Sequence, residues 1–135
     1  PGDGFNVTFS VNTSTIGGGV GENGLYLGGG VFNVATAHQM SDDDGDGVWE
    51  VTVNLSTDAI GGNYIFLNSP SDDGDWGAKE NLEGQDCADT NNYNDRIIPA
   101  FTGDTTLLHC FGECSGDGTG ECCLLCSNRN AFSAV

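Results

Sequence analysis

The sequence predicts an all-β protein built as a sandwich of two sheets, and three observations carry that prediction. Apolar and polar residues alternate with a period of two in several short runs, the signature of strands with one buried face. Glycine occupies 22 of the 135 positions and clusters between those runs, where tight turns are needed. No stretch combines an apolar period near 3.6 with helix caps, so short strands joined by turns are what remains.

Phe5, Val7, Phe9 and Val11 alternate with Asn6, Thr8, Ser10 and Asn12, which predicts the first strand. A glycine-rich connection over 17–24 leads to the short strand Leu25-Tyr26-Leu27, stopped by Gly28-Gly29-Gly30. The acidic turn Asp42-Asp43-Asp44-Gly45-Asp46-Gly47 then enters the clearest strand. There Trp49, Val51, Val53 and Leu55 alternate with Glu50, Thr52, Asn54 and Ser56, placing Trp49 in the core. After Gly61-Gly62, the nearly continuous apolar character of Asn63 to Leu67 suits a central strand covered on both faces. A polar loop runs from Asn68 to about Asp95, a length that is usually functional or pinned by a crosslink, and Cys87 lies within it. Arg96 to Phe101 and Thr105 to Cys110 read as the last two strands, after which the pattern dissolves. The chain has the length of one domain, and the expected division is an N-terminal tail over 1–4, a sandwich over 5–110 and a cysteine-rich extension over 111–135.

With hydrophobic residues only 37% of the chain, the core is modest and needs reinforcement, and six cysteines in 14.0 kDa supply it if they are oxidised. That places the protein outside the cell, secreted. The formal charge is -17, from 20 acidic side chains against only Lys79, Arg96 and Arg129. Nucleic acid is excluded as a partner because phosphate recognition needs Lys and Arg to displace counterions, and an anionic membrane surface repels the chain for the same reason. No apolar run approaches the roughly 20 residues that span a bilayer, so no membrane insertion is expected. The chain starts at Pro1 without a methionine and reads as a processed product or an excised fragment. Its end segments, Pro1-Gly2-Asp3-Gly4 and Ser127 to Val135, are of a kind that frays unless something holds them.

Asn6-Val7-Thr8, Asn12-Thr13-Ser14 and Asn54-Leu55-Ser56 satisfy the N-glycosylation rule, and each Asn falls on the polar side of its strand. Asp42, Asp44 and Asp46, with Gly47 behind them, are spaced as in a calcium loop. The terminal bidentate Glu of a helix-loop-helix site is missing, so any calcium site would be of another type, and an acidic hairpin turn accounts for the same residues. No other cofactor is expected. Cys110, Cys114, Cys122, Cys123 and Cys126 have spacings that zinc ligands also use, but with Cys87 they suit three disulfides better in an oxidising compartment, with a connectivity that sequence does not reveal. Trp76 stands in the polar loop beside Lys79, Glu80 and Asn81, and with Asn92 and Tyr93 could form a stacking and hydrogen-bonding surface for a sugar. The alternative is that Trp76 covers an edge of the sandwich. His38 and His109 are isolated, and no nucleophile elbow, metal-protease motif or phosphate loop occurs, so the chain is read as non-catalytic.

The order FNVTFSVN, LYLGGGVF, DDDGDGVWEVTVNL, GGNYIFLN followed by DWGAKENL, then NDR and CFGEC, resembles the starch-binding type of carbohydrate-binding module and related immunoglobulin-like sandwich repeats of secreted polysaccharide-degrading proteins. The resemblance covers about residues 5 to 114. It implies an immunoglobulin-like sandwich with a disulfide-rich C-terminal tail. The family commonly carries a sugar-stacking Trp after the glycine turn, where this chain reads Phe32-Asn33-Val34. The resemblance also implies that Cys87 pairs with Cys110, closing a loop of about 23 residues for roughly 3 kcal/mol. Cys114 would then pair with Cys122, Cys123 or Cys126. Two functions are expected from these features. One is a structural subunit of a glycosylated filament or surface assembly, a head-to-tail homopolymer of copies of itself joined by tail or strand insertion. The other is a carbohydrate-binding module that recognises a polysaccharide for a secreted enzyme.

Overall fold

The computed structural model describes residues 4–122. Seven strands follow one another: β1 (Gly4–Asn12), β2 (Leu25–Gly28), β3 (His38–Gln39), β4 (Val48–Ser56), β5 (Asn63–Asn68), β6 (Arg96–Ile97) and β7 (Thr105–Cys110). They form two sheets, β4-β1-β7 and β3-β2-β5-β6, and the only helical turns among the described residues are three short 3-10 segments. The all-β sandwich expected from the alternation is therefore present. In the first sheet β1 is central, antiparallel to β4 and parallel to β7.

The period of two in β1 does what it predicts. Val7, Phe9 and Val11 are fully buried between the sheets with Leu25, Leu27, Tyr64 and Phe66, each worth about 1.5–3 kcal/mol of transfer free energy. Residues 64–67 of β5 are buried on both faces, because Tyr64 and Phe66 face the first sheet while Ile65 and Leu67 are covered from outside by Leu82, Ala35 and Ala78. Trp49 is only half-buried, packed against the core's margin. Two strands differ from expectation. β3 is two residues long, too short for any period to show. β6 ends at Ile97; one further exchange follows, Ile98 N–H to Gly62 O, and then Pro99 has no N–H to continue.

The two outer edges of the first sheet are unlike. Beside β7, Gly118 N–H donates to Leu108 O, so residues 111–122 lie against that edge. Beside β4, Ser41 and Glu50 exchange both backbone hydrogen bonds and pairing then stops. By the strict alternation of an antiparallel ladder, Thr52 and Asn54 aim their N–H and C=O groups the same way as Glu50, with no partner among the described residues. Val51 and Val53 point inward from this edge and are only partly buried, packed against the core's margin. β4 carries no lysine, proline or bulge, and its one charged residue is Glu50, at the end where Ser41 already pairs.

At the centre of the core His109 lies between Ser10 and Tyr64. Its Nδ1 is 2.9 Å from the Ser10 carbonyl oxygen, which can only accept, so Nδ1 carries the proton and Nε2 accepts from the Tyr64 hydroxyl at 2.8 Å. Burial, helped by the Arg96 charge, lowers the His109 pKa to about 3, and burial raises that of Tyr64. A folded-state value below the unfolded one means that the unfolded chain binds more protons between roughly pH 6.5 and 3. The stability this His contributes is complete above that window and is lost as pH falls through it. Burial raises Asp95 and Asp117, and these act in the opposite direction at the acid end. The expected result is a denaturation midpoint that drops between pH 7 and 4, with a smaller drop in His109→Gln. Equal slopes for the two proteins would contradict the assignment.

Candidate functional site

On the outer face of the second sheet, the long loop covers Leu67 and Ile65 and leaves a cleft of about 480 Å³ at the β5–β6 end, lined by Gly29, Gly30, Asn33, Trp76, Lys79, Tyr93 and Asp95. Trp76 is 42% and Tyr93 84% exposed, large aromatic surface left in water at one place. The floor depends on glycine. A Cβ on Gly30 would overlap the Asn63 backbone, and one on Gly29 would sit 3.5 Å from the Trp76 ring and 3.6 Å from Asp95 Oδ2. Of the four described non-glycine residues with positive φ, Asn33 and Tyr93 line the cleft and Asn94 adjoins it. Such strain persists only where surrounding structure holds it, and it gathers at binding sites.

Lys79 is the clamp. Its Nζ donates to Tyr93 O at 2.8 Å and to Asp95 Oδ1 at 2.6 Å, and it lies 6.0 Å from the Tyr93 ring centroid. The ammonium thereby ties the 76–79 turn to the 89–95 turn and is neutralised by a carboxylate. That second turn is held from below by Asp89, which accepts from the side chains of Asn63 and Asn92 and is kept below the usual carboxylate range by those bonds. Burial raises the Asp95 carboxyl, and Lys79 only partly offsets this.

Of the six residues expected to meet a sugar, Trp76, Lys79 and Tyr93 come together in the cleft and three do not. Glu80 is fully buried: it pairs bidentately with Arg96 at 2.8 and 2.9 Å and accepts from the Phe66 and Gly112 amides, so its role is internal. Asn92 is turned to Asp89. Asn81 accepts from the Glu83 amide in a local turn and does not line the cleft. Asp95, Asn33 and the two glycines were not singled out by sequence. The unusual run of three glycines at the end of β2, Gly28 to Gly30, is the one signal in the sequence for a close approach there.

The disulfides correct the expected pairing. Cys87 is bonded to Cys114 and Cys110 to Cys122, in place of Cys87 with Cys110. Cys110 lies on the buried face of β7, where the returning chain at 122 reaches it, whereas Cys87, in the middle of the long loop, lies against Cys114. Cys123 and Cys126 fall outside the described residues, as do most of the two end segments expected to fray unless held.

Asn6 and Asn54 face one another across the β1–β4 ladder on the solvent side, Asn54 Nδ2 donating to Asn6 Oδ1 at 3.2 Å. Asn12 is half-buried, accepting from Ser14 N–H and donating to Gly120 O. The carboxylate oxygens of Asp42, Asp44 and Asp46 gather within 4.8 Å of one another. They accept from the amides of Asp46, Gly47 and Val48, as side chains that shape a tight turn do. No family model, no characterised protein and no solved structure matches the chain.

Proposed function

We propose that this chain is a non-catalytic structural subunit of a secreted, glycosylated filament or surface assembly, in which copies of itself join by strand addition between neighbouring immunoglobulin-like sandwiches. One observation carries the reading: beyond Glu50 the β4 edge has no strand paired to it among the described residues, and the partly buried Val51 and Val53 lie beneath it. An added strand would satisfy the amides and carbonyls of Thr52 and Asn54 and cover both valines. The opposite edge is occupied by the cysteine-rich segment, so the two sides of the subunit are unlike, which suits a heterologous contact that repeats without closing. Two disulfides fit an oxidising, extracellular setting. Asn6 and Asn54 are the better glycan acceptors, since both are exposed on an outer face and hydrogen-bond to each other, whereas Asn12 is half-buried.

Thr52→Pro tests this. The substitution removes an outward N–H at the open edge and leaves the β1 ladder intact. Sedimentation and electron microscopy of native material are expected to show polymers for the parent and monomers for the variant. Unchanged polymers would contradict strand addition at β4.

A second reading, a carbohydrate-binding module, is favoured by the cleft. Trp76 and Tyr93 offer two exposed rings, while Asn33 and Asp95 offer polar groups between them, the mixture that a sugar's apolar and hydroxyl faces require.

A further inference from the structure

We propose that the cleft takes amino sugars bearing a free ammonium group, with Asp95 as counter-ion and Trp76 and Tyr93 as the stacking walls. This rests on the carbohydrate-binding reading and narrows it to a ligand class. Charge decides the class. Of the chain's three basic side chains, Lys79 is spent on Asp95 and the Tyr93 carbonyl, and Arg96 is buried on Glu80. Among the described residues, no free cation is therefore offered to a carboxylated or sulfated glycan at this site, and a net charge of -17 repels one. The cleft suits a cation instead. Asp95 uses Oδ1 for Lys79, while Oδ2 lies at the floor beside Gly29, at the same corner as the Trp76 ring edge. The chain's own ammonium already marks the pattern, held by the Asp95 carboxylate and 6.0 Å from the Tyr93 ring centroid. A sugar ammonium at Oδ2 would repeat it from the solvent side.

Calorimetric titration of the whole chain at near-physiological salt tests the proposal with three β-linked oligomers of equal length: glucosamine, N-acetylglucosamine and glucose. Glucosamine oligomers are expected to bind about 10-fold or more tightly than the other two. Asp95→Asn should erase that preference, and Tyr93→Asn, a change compatible with the left-handed backbone there, should weaken all binding about 10-fold. Equal affinity for glucosamine and N-acetylglucosamine oligomers would overturn the ammonium assignment and leave the glycan reading standing. No binding of any oligomer would remove both. Oligolysine that competes equally well, or glucosamine binding untouched by Tyr93→Asn and Trp76→Ala, would show attraction to net charge alone and overturn the site.

Discussion

Glu80→Ala is expected to destabilise the fold by about 3–5 kcal/mol, the cost of leaving a buried charge without its partner. Arg96 is almost wholly inaccessible: burial works against its charge, and Glu80, aided by Asp117, more than restores it, raising the guanidinium above its ordinary value. The same guanidinium donates to the carbonyls of Cys110 and Glu113, and Glu80 accepts from the Gly112 amide. One carboxylate thus connects the long loop, β6 and the turn after β7, and its loss strands several donors at once. The double replacement Glu80→Leu with Arg96→Met should recover much of the loss, because it removes both charges. Urea denaturation checks this, and a single-variant effect below about 1 kcal/mol would contradict the placement of the pair.

Removal of the Cys87–Cys114 bridge is the second large effect. It closes a separation of 27 residues, for which loop-closure entropy gives roughly 3.5 kcal/mol in Cys87→Ala with Cys114→Ala. The Cys110–Cys122 bridge, with a separation of 12, gives somewhat less, roughly 3 kcal/mol. Arg96 Nη1 lies 3.8 Å from Cys87 Sγ, so the disulfide and the Glu80 variants share neighbours and their effects should not add. Denaturation with and without a reductant measures the total. A reduced chain as stable as the oxidised one would show that the bridges carry no stability. Loss of the first bridge also frees the middle of the loop that carries Trp76 and Tyr93, so the cleft should loosen with it.

Much of the fold was legible because its strands obey a period of two. The inward faces of β1 and most of β4 could be read from the alternation, though Ser10 on the polar side is buried and Trp49 only partly so, and β5 showed its double burial in a nearly unbroken apolar run. β3 was not legible, since two residues cannot display alternation. The cleft was half legible. Trp76 and Tyr93 are conspicuous as aromatics in a polar loop, but proximity in sequence placed Glu80 and Asn81 beside them, and a one-residue step in an extended segment turns Glu80 inward to Arg96 while Lys79 stays at the cleft. The disulfide partners depend on where the chain returns in space, which no spacing records.

Strand addition by a neighbouring copy at β4, as proposed, would engage the outward amides of Thr52 and Asn54. Amide hydrogen exchange at Thr52 and Asn54, measured in dispersed and in assembled protein, tests it most directly. Fast exchange in the dispersed chain and strong protection on assembly is the predicted result; assembled material in which both amides still exchange fast would contradict it.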